Sequence, residues 1–310
     1  MLITLAICTW NRADSLHRTL ESLAAMEIPD GLAWEVLIVD NNCTDHTRDV
    51  VGHWKSVLPI RELFEHRQGL SHARNHALEQ ACGDVIVWTD DDVCLDPAFL
   101  THYARATATY PDAAFFGGPI IADFVSPPPS WLDRNFEVFA DAYAVRAIAA
   151  EDIPIESVDV LPYGANFALR RDALQGDRFD TDLGRNGSGM VGGEESELLR
   201  KMLARGCRGV WIADARALHR VDAGRLTLGY IWRFYHGVGL MYARTTPRYQ
   251  TKSVRKLRRR YLTYRATDMV RRLRRDRGWA VAYMKAAIFR GLIDGHPARQ
   301  TGDQAKSSVY

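Results

Sequence analysis

A chain of 310 residues with 47% apolar composition can bury one large core plus an appendage, which excludes wholesale disorder. Its net charge of +2 conceals a split: residues 1–251 hold 24 Lys and Arg against 34 Asp and Glu, net −10, and residues 252–310 hold 16 against 4, net +12. An acidic body with a basic tail points to different partners for the two parts, the tail facing phosphates of lipid or nucleic acid. The five cysteines, Cys8, Cys43, Cys82, Cys94 and Cys207, are odd in number and lack zinc-type spacing, so reduced structural thiols are expected. The chain opens directly on an apolar strand without a charged leader, from which cytoplasmic residence is expected. No apolar run reaches the roughly 18 residues of a spanning helix, since 279–293 is broken by Lys285 and Arg290.

In chain order, the apolar run LITLAIC is followed by a helix pattern over about 14–26, the run WEVLIVD and a second helix pattern over about 44–54. A third strand at 60–64 leads through Gly69 to a helix over 71–81 and the apolar strand 84–88. This βαβα alternation predicts a mainly parallel central sheet with helices on both faces. Ligands of such sheets sit beyond the carboxyl ends of the strands, where Thr9, Asp40 and Asp90-Asp91-Asp92 all fall. Ser126-Pro-Pro-Pro-Ser130 marks a stiff excursion suited to a substrate-facing insertion. Regularity returns at GANFALRR (164–171), in a helix over 195–205 stopped by Gly206, and in the strand GVWIA (209–213). Beyond Leu226 the chain reads as helices, so the division expected is a catalytic domain over 1–225 and a helical, basic extension over 226–310.

Three adjacent carboxylates repel one another, and gathering them beside a buried strand calls for a cation. Hard oxygen donors favour Mg2+ or Mn2+, an ion commonly completed by substrate phosphates. Taken alone, Asp90 to Asp92 also fits a solvated turn with one Asp capping a helix. Glu194 and Glu195 open a helix after the glycine-rich NGSGMVGG, where the helix N-terminus keeps a carboxylate ionised as a general base must be. They equally fit ordinary acidic residues of a first turn. GLSHARN (69–75) delivers Arg74 toward the strand rim, and arginine suits phosphate. No glycine-rich dinucleotide or P-loop pattern follows the first strand.

The succession CTWNR (8–12), VDNNCTD (39–45), GLSHARN, WTDDDV (88–93), YGANFALRR (163–171) and GGEESELLRKM (192–202) resembles the family 2 glycosyltransferases of GT-A fold, over roughly residues 1–220. The resemblance implies an inverting enzyme in which an acceptor hydroxyl displaces a nucleoside diphosphate from the anomeric carbon. It implies that Thr9, Asn11, Arg12, Asp40, Asn42 and Arg74 line the nucleotide pocket, with Asp40 reading the base, commonly uracil. Asp90 would touch ribose or metal, Asp91 and Asp92 the metal, and Asn166 the donor or acceptor sugar. The family usually presents an Asp as its base after a Glu; here Glu195 occupies the base position, with Glu194 the alternative. His219, after the last core strand, is a further candidate metal ligand, against the structural role usual for a lone His.

From Lys252 to Arg275, eleven Lys and Arg face one acidic residue, interleaved with Leu257, Tyr261, Leu262, Tyr264, Met269, Val270 and Leu273. Such a basic amphipathic helix suits peripheral contact with an anionic membrane and a lipid-linked or other glycan acceptor, although a solvated helix packed on the acidic body also fits. Nucleic acid is not expected, because no reading module accompanies the charge. Two alternatives stand beside the transferase. A metal-dependent nucleotidyltransferase would want a glycine-rich phosphate loop that CTWNR does not supply, and a non-catalytic membrane- or nucleic-acid-binding protein would carry a degenerate transferase body.

Overall fold

In the computed structural model, which describes residues 1–187, 189–276 and 278–297, strand and helix alternate from the start. They are β1 (Leu2–Thr9), α1 (Ala13–Ala24), β2 (Ala33–Asp40), α2 (Thr47–Trp54), β3 (Ile60–Phe64), α3 (Leu70–Gln80) and β4 (Val85–Asp90). These four strands are parallel in the order β3-β2-β1-β4. Side chains of a strand alternate between faces, so Ile3, Leu5, Ile7, Val36, Ile38, Val85 and Val87 enter one core with α1 and α2. Ala6, Leu37, Val39, Ile86 and Trp88 enter a second core with α3. Burial on both faces is why these strands read as nearly continuous apolar runs.

Further on come β5 (Val93–Leu95), α4 (Phe99–Thr109), β6 (Phe115–Gly117), β7 (Ile120–Phe124), α5 (Ser130–Asp133), α6 (Phe136–Phe139), β8 (Ile153–Ile155) and β9 (Phe167–Arg170). After these lie α7 (Glu194–Ala204), β10 (Gly209–Trp211) and β11 (Ala217–Val221). The main sheet continues β4-β9-β6-β10-β8. Because β9 opposes β4 and β6, and β8 opposes β10, six of its eight strands share one direction. α4 adds to the first core and α7 to the second, giving the expected helices on both faces. A small sheet, β5-β11-β7, lies apart. The second helix starts at Thr47 rather than at the expected 44, because the intervening residues form a turn: Asn42 is left-handed (φ 66°), Thr44 N donates to Asn11 Oδ1 and Thr47 N to Asp45 Oδ1. The strand expected over 209–213 pairs through Trp211.

The chain forms two compact units. The first comprises 1–123, 144–187 and 194–220 and carries both sheets; the second comprises 124–143, 189–193 and the described residues from 221 on. The chain thus changes unit at 123/124, within β7 and just before the Ser126 to Ser130 excursion, and again at 220/221. The second unit holds α5, α6, α8 (Leu228–Thr245), α9 (Pro247–Gln250), α10 (Val254–Leu273) and α11 (Trp279–Asp294). Gly239 of α8 and Gly291 of α11 let those helices touch backbone to backbone: a Cβ on either would lie 2.1 Å from a carbonyl of the other helix. Of the expected features, Ser188 of the glycine-rich stretch, Arg277 and residues 298–310 of the basic extension lie outside the described residues. All five cysteines are free thiols. Among the described residues no helix is long and apolar enough to cross a membrane.

Candidate active site

Strand register builds one rim of the site. Thr9 pairs with Asp40 across β1 and β2, and Cys8 with Asp90 across β1 and β4, so three parallel strands end side by side. Asp91 and Asp92 follow in the turn after β4 and are buried. The Thr9 hydroxyl donates to Asp91 Oδ2 (2.8 Å). Arg12, just before α1, donates through Nη1 to Asp91 Oδ1 (2.9 Å) and through Nη2 to Asp92 Oδ2 (2.8 Å), one guanidinium bridging both carboxylates. Burial pushes the Asp91 carboxyl up to about 6 against the pull of Arg12, with the Asp92 charge adding to the rise and the Thr9 hydroxyl opposing it.

The small sheet supplies the next group. β5 follows the aspartates and pairs with β11 so that Val93 opposes His219, which places His219 Nε2 3.2 Å from Asp92 Oδ2. Neighbouring ligands around an ion held at about 2.1 Å lie roughly 3 Å apart, so this pair fits two positions on one divalent cation. Among the described residues no group of three or more His, Cys, Asp or Glu forms a fuller cage.

Arg74 organises the other side. It projects from α3, whose start is tied to the segment ahead of α7: Ser71 Oγ donates to Leu183 O (2.7 Å), Asn75 Nδ2 to Phe179 O and Phe179 N to Asn75 Oδ1 (both 2.8 Å). The Arg74 side chain is 3% exposed and donates to Glu194 Oε1 (2.7 Å), with Asp90 at 3.6 Å and Glu195 at 3.8 Å. Its guanidinium lies over the rings of Trp88, Phe167 and Phe179. Gly164 makes room, since a Cβ there would sit 2.6 Å from Arg74 Nη2. Glu195, second in α7 and mostly buried, is raised to about 7, first by burial and then by the Glu194 charge, against Arg74. Five carboxylates thus meet two guanidiniums, and burial raises two of them, Asp91 and Glu195, toward neutrality.

The expected residues divide accordingly. Thr9, Arg12, Asp91, Asp92 and His219 form one group, and Arg74, Asp90, Glu194 and Glu195 the other. Arg74, expected to line the nucleotide pocket, is instead enclosed by carboxylates and aromatic rings. Asn166, expected at a sugar, is fully buried, accepting from Tyr103 OH (2.7 Å) and donating to Pro119 O (3.0 Å) and Ala215 O (2.7 Å); its amide is committed to the fold. Asn11 and Asn42 occupy exposed left-handed turns, which Asn tolerates, and Asn42 Nδ2 donates to His66 O. Asp40 accepts from Cys43 N (2.7 Å) and borders a cleft of about 260 Å³ with Thr44, Asp45, His46 and Arg48. Sequence reasoning passed over Asn41, Ser71 and Asn75 as functional supports. Asn41 Nδ2 donates to Glu65 O and Arg67 O, and its Oδ1 accepts from Gly69 N, fixing the loop that launches α3. Their place inside VDNN and GLSHARN was the available signal.

A family model described as glycosyl transferase family 2 matches residues 4–176. Among curated proteins the chain is similar to the succinoglycan biosynthesis protein ExoM of Rhizobium meliloti, 28% identical over 234 residues, or 74% of this chain and 70% of that one. It is also similar to the glucosyl-dolichyl phosphate glucuronosyltransferase of Haloferax volcanii, 25% identical over 228 residues, 71% of this chain and 70% of that one. Of solved structures, the mannosyltransferase PcManGT from Pyrobaculum calidifontis, in complex with GDP-Man and Mn2+, matches with TM-score 0.55 at 19% identity, over 99% of this chain and 75% of that one. S. aureus TarS matches with TM-score 0.50 at 17% identity over 78% of this chain, which spans 40% of TarS. At such identities these structures speak to the fold, which is GT-A-like as expected.

Proposed function

The chain belongs to glycosyl transferase family 2, and from that premise we propose that it is an inverting enzyme moving a sugar from a nucleoside diphosphate, UDP, to a glycan hydroxyl. The base would occupy the cleft beside Asp40. Asp92 and His219 would hold a Mg2+ or Mn2+ ion, which supplies an offset for negative charge on the departing diphosphate. The complex of PcManGT with GDP-Man and Mn2+ supports a metal and a nucleotide sugar in general terms.

The base is Glu195. A carboxylate titrating near 7 is both ionised enough and basic enough to take a proton at neutral pH. Glu194, whose Oε1 is hydrogen-bonded to Arg74, holds that arginine in place. As the acceptor oxygen bonds to the anomeric carbon, its proton passes to the Glu195 carboxylate. The bond from that carbon to the diphosphate oxygen breaks on the opposite face, and the diphosphate leaves with the electron pair. The observation that carries this reading is Arg74, which brings Asp90 from the strand rim and Glu194-Glu195 from α7 to within 3.8 Å of one guanidinium.

The names of the two relatives, one in succinoglycan biosynthesis and one a glucosyl-dolichyl phosphate glucuronosyltransferase, support a polysaccharide or lipid-linked acceptor. The proposed place of work is the cytoplasmic face of a membrane, contacted peripherally through residues 252–275. Incubation with UDP-, GDP- and dTDP-sugars plus Mn2+, scored by release of the nucleoside diphosphate, is expected to show release from a UDP-sugar that EDTA or Asp92→Asn abolishes. Release from GDP-sugars alone would overturn the uridine assignment, and release that survives both EDTA and Asp92→Asn would overturn the metal site.

A further inference from the structure

Helix α10 has two apolar faces, and the fold uses one of them. Leu257, Tyr261, Tyr264 and Asp268 recur at the i, i+4, i+7, i+11 spacing of a single helix face. Leu257 is buried in a cluster with Ala243, Leu292 and Ile293, against which Tyr261 packs. Tyr264 stacks on Phe289 of α11 with ring centroids 5.5 Å apart. Asp268, also buried, accepts from Arg272 Nε (2.6 Å).

Leu262, Ala266, Met269 and Leu273 repeat the same spacing five residues on, which places them roughly 140° around the helix from the packed face. Leu262 is 63% exposed, Met269 61% and Leu273 80%. Single exposed apolar residues are ordinary, whereas a line of them along one helix marks an interaction surface. The charge around the line has one sign. Arg258 and Arg259 are exposed and straddle its start, with Arg255 exposed one turn earlier. The one acidic residue between Lys252 and Arg275 is Asp268, on the buried face.

We infer that α10 lies flat on an anionic bilayer, with Leu262, Ala266, Met269 and Leu273 turned into the interface and the flanking arginines among the headgroups. A cationic rim around a narrow apolar stripe suits that boundary, where acyl chains receive the stripe and lipid phosphates the guanidiniums. Nucleic-acid phosphates would meet the charge but leave three large apolar side chains in water. The helix, about 30 Å long, rests on the surface and does not cross it. The inference rests on the membrane contact of the proposed function and not on the transfer chemistry, so its test needs no sugar donor.

The test is co-sedimentation of the full chain with phosphatidylcholine vesicles, with or without phosphatidylglycerol, at low and high salt. Binding is expected only to the anionic vesicles and weakens with salt. The triple variant Leu262→Ser, Met269→Ser, Leu273→Ser is expected to bind them at least about tenfold more weakly. Its thermal midpoint and its stabilisation by UDP with Mn2+ should equal the wild type's, because the three side chains are exposed. Arg258→Gln with Arg259→Gln should lose part of the binding and part of its salt dependence. Equal binding by the triple variant would overturn insertion of the stripe. Absence of vesicle binding, or capture by duplex DNA or an acidic protein in its place, would overturn the bilayer; loss of UDP stabilisation with vesicle binding intact would instead count against the proposed function.

Discussion

Asp91-Asp92 and Glu194-Glu195 are acidic pairs of the same folded unit, yet each is balanced by an arginine in a different way. Arg12 meets the aspartates from a side chain still 29% exposed, at the start of a helix and free of aromatic packing among the described residues. Arg74 meets the glutamates at 3% exposure, above three aromatic rings and below a glycine that leaves it space. A charge held at the surface can be exchanged for another, whereas one enclosed without water is part of the fold. The contrast fits the proposed roles, an exchangeable cation and nucleotide on the aspartate side and fixed chemistry on the glutamate side.

The sharpest way to break the contrast is to remove each arginine. Arg74→Met strands Asp90, Glu194 and Glu195 without their counter-charge and is expected to cost about 3–5 kcal/mol in urea unfolding. Adding Glu194→Gln should return part of that loss, because the two residues share one interaction. Arg12→Ala uncovers Asp91 and Asp92 but at a side chain open to water, so it should cost less than Arg74→Met in the same unfolding and strengthen binding of Mn2+ alone by about tenfold, since a positive charge beside the ion is gone; isothermal titration reads the second effect directly. Equal destabilisation by the two variants would erase the distinction.

A smaller effect comes from Glu195. Its folded pKa of about 7 lies above the ordinary 4.5, so the folded state holds the proton more tightly than the unfolded one. The stability this lends is full below about 4.5 and lost as pH rises through about 7. Glu195→Gln removes the loss, so its thermal midpoint should exceed the wild type's by about 2–6 °C at pH 8, with the difference shrinking toward pH 5. A difference that grows toward low pH would reverse the sign of the shift.

The four parallel strands and the rim at Thr9, Asp40 and Asp90 were legible because two-sided burial writes long apolar runs, and polar residues end them. β6 and β8, three residues each, are too short to carry a period and depend on neighbours distant in sequence. The inward course of Arg74 was hidden for a similar reason: Trp88, Phe167 and Phe179, which receive it, come from three separated segments. Asn166 misled because its motif position is compatible with a ligand role, while its partners Tyr103, Pro119 and Ala215 are set by tertiary packing. The resemblance put Glu195 at the base position with Glu194 as the alternative, and only tertiary packing set Arg74 2.7 Å from Glu194 and 3.8 Å from Glu195.

The central claim is that Glu195 takes the acceptor's proton while Glu194 positions Arg74. The initial rate of sugar transfer against pH, measured for the wild type, Glu194→Gln and Glu195→Gln, tests it most directly. The wild type should gain about tenfold per pH unit below about 7 and level off above. Glu194→Gln should keep such a limb, and Glu195→Gln should lose it and fall by about 10²–10⁴-fold. A Glu195→Gln enzyme working at full rate with the limb intact would contradict the account.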